Sequence, residues 1–173
     1  MDKVLIIVDM QKDFVDGALG TQEAQAIVDA VRKKLAAHEG PVIFTQDTHQ
    51  PDYLNTQEGR LLPAEHCIEG TEGWRIIPEL RPYAEKPGVK IIRKPTFGSV
   101  ELARALAARA GEIEEIELIG LCTDICVVSN ALLLKAFLPE MKISVDSACC
   151  AGVTPEKHAA ALETMRSCQI DVH

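Results

Sequence analysis

A cysteine that follows a buried strand is the residue of this sequence best suited to covalent chemistry. Residues 115–121 are mostly aliphatic and predict a strand, and a short polar turn leads from it to a helix beginning at Cys126. A helix N-terminus presents unpaired N–H groups and partial positive charge, which lower the pKa of a nearby thiol. The same N–H groups could hold the oxyanion formed when a thiolate attacks an acyl carbon. Cys126 is therefore the candidate nucleophile.

Two charged residues at the ends of other aliphatic runs could act on that thiol. Asp9 ends the first run, where burial raises the pKa of a carboxyl group and suits it to accept the thiol proton. Lys94 ends the third run, directly before Pro95, and a cation near Cys126 would favour the thiolate. Taken singly, Asp9 could equally accept a loop hydrogen bond, and Lys94 could be a solvated lysine.

The long segment after the second aliphatic run has the residue types of a metal site. Asp47 and His49 are one residue apart, so that in an extended chain they point to the same side, and His66 follows later. Such a mixed nitrogen and oxygen set suits Zn²⁺, Fe²⁺ or Mn²⁺, and an open position would polarise a ligand. Asp52 and Glu58 are further carboxylates of this segment. The alternative is a polar turn with surface histidines.

Three aromatic residues could enclose a flat ligand. Trp74, the one tryptophan, follows a glycine-rich stretch, and Phe14 and Phe97 lie close to the charged residues named above. Aromatic faces are frequent walls of small-molecule sites. A simple packing role is the alternative, because aromatic residues make up only 4% of the chain.

The elements that must position these side chains alternate along the chain. Strands are predicted at 3–8, 41–46, 89–93, 115–121, 142–146 and 169–172, helices at 23–38, 100–110, 126–138 and 155–167, and a long loop at 47–75. This alternation predicts a three-layer α/β/α fold, in one domain over 1–173, with a mostly parallel central sheet of about six strands. Ligands of such folds bind beyond the carboxyl ends of the strands, where the candidate residues fall.

Composition narrows the class of protein. The 173 residues carry a net charge of −8 without a basic cluster, which argues against nucleic acid or an anionic membrane as partner. No apolar run approaches the roughly 20 residues that span a bilayer. The first residues enter a strand directly, so we expect a cytoplasmic protein. In that compartment the 6 cysteines are expected to be thiols rather than disulfides.

Five segments together resemble a known family. They are DMQKDF at 9–14, TQDTH at 45–49, EHCIEGTEG at 65–73, KPTFGS at 94–99 and GLCTDICV at 120–127. In this order they resemble the isochorismatase-like cysteine hydrolases, whose fold is Rossmann-like, and within that family the nicotinamidases. The resemblance implies an Asp9–Lys94–Cys126 triad and an oxyanion hole formed by the N–H groups of Cys122 and Cys126. It also implies a cis peptide bond before Cys122.

The resemblance further implies a divalent metal, with zinc favoured and iron or manganese as alternatives. Its ligands would be Asp47, His49 and His66. Many relatives have another histidine between the two histidine positions as a further ligand, and here Glu58 would take its place. Asp52 is the alternative residue for that position. The metal would bind the ring nitrogen of nicotinamide, while Phe14, Trp74 and Phe97 enclose the ring. The implied reaction is hydrolysis of nicotinamide to nicotinate and ammonia in NAD salvage, with no organic cofactor.

Two other functions remain open from the sequence. A hydrolase of the same fold could act on another amide or on a carbamoyl or ureido compound. A protein that binds a metal or a small ligand without catalysis is the more distant alternative. Members of the family often self-associate, so a homo-oligomer is among the states that the resemblance allows.

Overall fold

The computed structural model describes residues 1–173 and is built around one parallel sheet. The strands, in the spatial order β3-β2-β1-β4-β5-β6, are β1 (Asp2–Val8), β2 (Val42–Asp47), β3 (Lys90–Lys94), β4 (Ile113–Leu121), β5 (Lys142–Ala151) and β6 (Asp171–Val172). Every neighbouring pair is parallel, which confirms the predicted fold class. The chain order reverses beside β1, as in other doubly wound folds.

Helices cover both faces of the sheet. They are α1 (Lys12–Val15), α2 (Gln22–Ala26), α3 (Val28–Ala37), α4 (Gln57–Leu61), α5 (Arg81–Ala84), α6 (Val100–Ala107), α7 (Val128–Phe137) and α8 (Pro155–Ser167). Alternate residues of β1 point to opposite faces, so that Ile6 joins the core with α6, α7 and α8 while Ile7 joins the core with α2, α3 and α5. None of these helices combines the length and the apolar character that a membrane span requires.

Several predicted boundaries differ from the structure. The helix predicted at 23–38 is interrupted at Ile27, and the strand predicted at 142–146 continues to Ala151. That strand continues because β4 and β5 resume pairing after a register shift, with Gly120 opposite Cys150. A shift of register hides the alternation that a sequence pattern depends on.

The segment predicted as a long loop contains local structure. A 3₁₀ turn covers Tyr53–Asn55, and α4 follows because Thr56 caps it, its hydroxyl accepting a hydrogen bond from the Gly59 N–H. Gly59 approaches so closely that a Cβ there would lie 2.0 Å from the Tyr53 carbonyl oxygen. The segment is therefore folded onto itself, and α4 can present a side chain to the sheet edge.

Gly120 is required where β4 passes the end of β1. Its φ of +115° is rare for other residues, and a Cβ would lie 2.3 Å from the Val8 carbonyl oxygen. We expect Gly120→Ala to lower the free energy of unfolding by about 1–3 kcal/mol or more, measured by urea denaturation. Gly111→Ala is the matched control, because a Cβ there meets no atom within 4 Å. Equal stability of the two variants would contradict this prediction.

Candidate active site

The carboxyl end of the sheet collects the charged candidates around the cysteine. Cys126 lies in a π-helical turn, Thr123–Val127, which follows β4 and precedes α7, so the helix predicted from Cys126 begins with this turn. The thiol is buried, and the Lys94 Nζ lies 3.2 Å from its Sγ. The peptide bond between Leu121 and Cys122 is cis, as predicted.

Asp9 and Lys94 form a buried ion pair directly behind the thiol. The Lys94 Nζ lies 2.6 Å from Asp9 Oδ2, and both side chains are inaccessible to solvent. The Thr45 hydroxyl donates to Asp9 Oδ1 over 2.6 Å, and the Thr45 Oγ1 accepts a hydrogen bond from the Asp9 N–H. Asp9 has a φ of +48°, and this pair of hydrogen bonds holds it in that left-handed conformation. Sequence reasoning missed Thr45.

Burial and the charges of neighbouring groups shift the pKa values of all three residues. It raises the pKa of the Asp9 carboxyl group, although Lys94 opposes the rise. Burial alone would lower the pKa of Lys94, but the charges of Asp9 and Cys126 raise it above its ordinary value. Burial also raises the pKa of the Cys126 thiol, and Asp9 adds to this effect. The expectation that a helix N-terminus would lower that pKa is therefore wrong. The Lys94 Nζ thus lies between a carboxyl group and a thiol whose pKa values are both raised by burial.

One of the two N–H groups predicted to form the oxyanion hole has no hydrogen-bond partner within the protein. The Cys122 carbonyl accepts hydrogen bonds from the N–H groups of Ile125 and Val127, which stabilises the turn. The Cys122 N–H donates to no protein group. It is therefore able to donate to an oxyanion, and that role of Cys122 and Cys126 stays a prediction.

Four side chains converge as a possible metal-ligand set beside the ion pair. The His49 Nε2 lies 3.0 Å from Asp47 Oδ2 and 3.5 Å from Glu58 Oε1. The His66 Nε2 lies 3.7 Å and 3.8 Å from the same two oxygens. The His66 Nδ1 lies 2.8 Å from the Ala64 carbonyl, to which it can donate its proton and so leave Nε2 as a ligand.

These residues fit a divalent cation. Ligand atoms held about 2.0–2.2 Å from one ion lie roughly 3–3.6 Å from one another, close to the observed separations. Burial raises the pKa of Glu58, with Asp47 adding to the rise, and a bound cation would offset this cost. Asp52, the competing carboxylate, is exposed on the 3₁₀ turn and lies outside the cluster of Asp47, His49 and His66. The geometry favours Glu58 as the fourth ligand.

A small cavity joins the thiol to this cluster. Its lining includes Cys126, Cys122, Asp47, Glu58 and His66 among the polar or reactive residues, and Phe14, Leu19, Leu62, Phe97 and Ile125 among the apolar ones. Its volume is about 50 Å³. A small ligand at this place would have one end at the thiol and the other at the metal-ligand set.

Trp74 does not line this cavity, so its predicted role as a ring wall is not supported. Its indole N–H donates to the Thr48 hydroxyl over 2.9 Å, and the Arg93 guanidinium lies 4.8 Å from the ring centre. Leu62 and Ile125 take part in the wall instead. Sequence reasoning missed these two because aliphatic residues in a loop and a turn carry no periodic signal.

Asn130 connects the turn that carries the thiol to the segment after Lys94. Its side-chain amide donates to the carbonyls of Cys126, over 2.8 Å, and Phe97, over 3.1 Å. Its side-chain oxygen accepts from the Ser99 N–H over 2.9 Å. Because Asn130 is buried on α7, these bonds fix the distance between two walls of the cavity.

Removal of the Asn130 side chain should therefore weaken catalysis as well as stability. We expect Asn130→Ala to lower the kcat of a reaction at Cys126 by roughly 100-fold, since a displacement of about 1 Å can have that effect. The assay is made below the Tm of the variant, so that the protein is folded. Ser129→Ala, on the same helix, leaves the three bonds intact and should keep its kcat. A lower Tm with unchanged kcat would assign Asn130 a purely structural role.

The fold and this geometry define a class of enzyme chemistry. A buried carboxylate, lysine and thiol at the carboxyl edge of a parallel sheet are suited to acyl transfer through a cysteine. The model of the isochorismatase domain matches residues 3–173. The chain therefore belongs to the isochorismatase domain family, as the five sequence segments predict.

Individual relatives agree with this assignment. The isochorismatase family protein PncA of Bacillus subtilis is 32% identical, over 94% of this chain and 93% of its own. The crystal structure of nicotinamidase/pyrazinamidase PncA from Bacillus subtilis superposes with a TM-score of 0.84, at 30% identity over 99% of both chains. The pyrazinamidase of Pyrococcus horikoshii in complex with zinc gives a TM-score of 0.83, at 26% identity over 100% of this chain and 99% of its own.

Proposed function

We propose that this protein is an amidohydrolase that converts nicotinamide to nicotinate and ammonia through a thioester on Cys126. The observation that carries the proposal is the buried pair of Asp9 and Lys94, whose Nζ lies 3.2 Å from the thiol, at the edge of a small cavity that the metal-ligand set also lines. The activities in the names of the Bacillus and Pyrococcus relatives support this substrate class.

The first half of the reaction forms the thioester. Asp9 accepts the proton of the Cys126 thiol, and Lys94 stabilises the charges on both groups. The sulfur adds to the carboxamide carbon, and the N–H groups of Cys122 and Cys126 hold the oxyanion. Asp9 then gives its proton to the departing nitrogen. The C–N bond breaks, ammonia leaves, and the acyl group stays on the sulfur.

The second half returns the enzyme to its starting state. Asp9, again a carboxylate, accepts a proton from a water molecule that attacks the thioester carbon. The C–S bond breaks, the proton returns to the sulfur of Cys126, and the acid leaves as nicotinate after giving its own proton to solvent, where ammonia takes it up. Water is the only other reactant, so the overall reaction needs no oxidant, reductant or organic cofactor.

The metal-ligand set would orient the ring. Asp47, His49, Glu58 and His66 would hold a divalent metal, and the metal would bind the pyridine nitrogen and so fix the carboxamide relative to the thiol. The donor set suits zinc, iron or manganese, and the zinc complex of the Pyrococcus relative supports zinc. Phe14 and Phe97 would contact the ring. Nicotinamide hydrolysis would place the protein in NAD salvage, in the cytoplasm.

The test is ammonia release from nicotinamide by the purified protein, before and after treatment with a chelator. We expect rapid release that is lost with the metal and returns when Zn²⁺, Mn²⁺ or Fe²⁺ is added. No release with any of these metals would overturn the substrate assignment. Selective alkylation of Cys126 by iodoacetamide in that case would direct the search to carbamoyl and ureido substrates, whereas six equally slow thiols would indicate a non-catalytic protein.

A further inference from the structure

A second, wider depression lies next to the reactive cavity, and we refer to it as the outer groove. The two share the walls formed by Glu58, Leu62, Phe97 and Ile125, and the outer groove extends from there to Leu61 and Pro95. Its volume is about 420 Å³, compared with about 50 Å³ in the reactive cavity. The outer groove therefore adjoins the reactive cavity directly, along the side chains that line both.

The surface of the outer groove is apolar and incompletely covered by the protein itself. Leu61 is 79% exposed, Phe97 47% and Leu62 43%. These side chains come from two separate segments, α4 with the residue after it and the turn that follows β3. Exposed apolar side chains that converge beside a reactive cavity are typical of a binding subsite.

The orientation of the ring in the proposed reaction leaves one edge for this groove. The inference in this step depends on the proposed function, in which the carboxamide carbon of nicotinamide lies at the Cys126 sulfur and the ring nitrogen points to the metal-ligand set. Carbon 5 of the ring is the position remote from both groups. Its substituent must leave the cavity through an opening, and the outer groove adjoins both the metal-ligand side, at Glu58, and the thiol side, at Ile125.

We propose that the outer groove is a substrate subsite for an apolar group on carbon 5 of the ring. The substrate class of the enzyme then includes 3-pyridinecarboxamides with an aryl or alkyl substituent at that carbon, besides nicotinamide itself. Leu61 is the specificity-determining residue for this extension, because it contacts the groove but not the reactive cavity.

The test compares kcat/KM for nicotinamide and 5-phenylnicotinamide. We expect the wild-type protein to hydrolyse both amides with values within about tenfold of each other. Leu61→Gln should lower the kcat/KM for 5-phenylnicotinamide by roughly fivefold to tenfold, which is at the low end of the range for the loss of an apolar contact. It should leave the kcat/KM for nicotinamide unchanged. Leu54→Gln is the matched control, because Leu54 is 46% exposed nearby but does not line the groove.

Three results would overturn this inference and are distinguishable from failure of the proposed function. Rapid hydrolysis of nicotinamide with no detectable hydrolysis of 5-phenylnicotinamide would remove the subsite alone. Equal effects of Leu61→Gln and Leu54→Gln would remove the role of Leu61. A dimer, seen by light scattering and dissociated by Leu61→Gln, together with inert 5-phenylnicotinamide, would assign the groove to a second copy. Failure of both amides would overturn the proposed function and the orientation on which the subsite depends.

Discussion

The Cys126→Ala variant should lose hydrolysis of nicotinamide almost completely while it keeps its fold. The Cys126 sulfur is the thiol of the reactive cavity that lies beside the Lys94 Nζ, and without it the pair of Asp9 and Lys94 would have no thiol proton to move. Removal of a nucleophile that acts with a base as one unit lowers kcat by about 10⁴-fold to 10⁶-fold. The measurement is ammonia release, with circular dichroism and Tm to establish that the variant is folded.

Cys150→Ala is the matched control for this experiment. Both cysteines are 4% exposed and belong to the same apolar core, so the two substitutions remove the same atom from similarly packed surroundings. Cys150 lies on β5 and does not line the cavity. We expect Cys150→Ala to keep its kcat within about threefold, with only a modest loss of stability of the order of 1 kcal/mol. Activity above about one percent in Cys126→Ala would contradict the thioester mechanism.

The fold could be predicted from the sequence because the spacing of apolar residues indicates the strands and helices, and the positions of charged residues indicate the strand ends. Aliphatic runs that alternate with helical patterns indicate a parallel sheet, and the rule that ligands bind at the carboxyl ends of strands then groups Asp9, Asp47, Lys94 and Cys126 at one edge. The structure brings these four together, with the Lys94 Nζ within 3.4 Å of an atom of each of the others. Their roles in catalysis and metal binding stay predictions that the experiments above address.

Details that depend on tertiary packing were not accessible in the same way. The pKa of Cys126 depends on how deeply the thiol is buried, and a helix N-terminus in the sequence does not reveal that burial. Trp74 was assigned to the cavity by its residue type, whereas the path of the chain turns its indole toward Thr48. Asn130 and Thr45 act through side-chain hydrogen bonds that are mostly to groups distant in sequence, a relation that no local pattern records.

The choice between Glu58 and Asp52 shows the same limit. Both carboxylates lie in a segment without periodicity, and spacing alone favours neither of them decisively. The Thr56 cap folds residues 57–61 into α4, which brings the Glu58 carboxylate within 3.5 Å of the His49 Nε2, while Asp52 stays at the surface. A short helix, which needs its neighbours in order to form, thus decides which of the two carboxylates faces the histidines.

Removal of one metal ligand should have the second large effect. A four-ligand zinc site contributes about 10–16 kcal/mol in all, so the loss of one ligand should weaken metal binding by roughly 100-fold or more. We expect His49→Ala to lose most of its bound metal on dialysis, measured by inductively coupled plasma mass spectrometry, and to hydrolyse nicotinamide only at high added metal. Alkylation of Cys126 by iodoacetamide should change little, because the polar partners of His49 are Asp47 and Glu58 rather than the triad.

Glu58→Gln and Asp52→Asn form the matched pair that identifies the fourth ligand, since each replaces a carboxylate by its amide. Because Glu58 Oε1 lies 3.5 Å and 3.8 Å from the two histidine nitrogens, Glu58→Gln should weaken the affinity for zinc by about tenfold to 100-fold, as a neutral amide is the poorer ligand. Asp52→Asn should retain its affinity, because Asp52 is exposed and outside the cluster. Both affinities are measured by competition with a chelating dye, and the reverse order of the two would make Asp52 the fourth ligand instead of Glu58. Unchanged metal content in His49→Ala would contradict the whole ligand set.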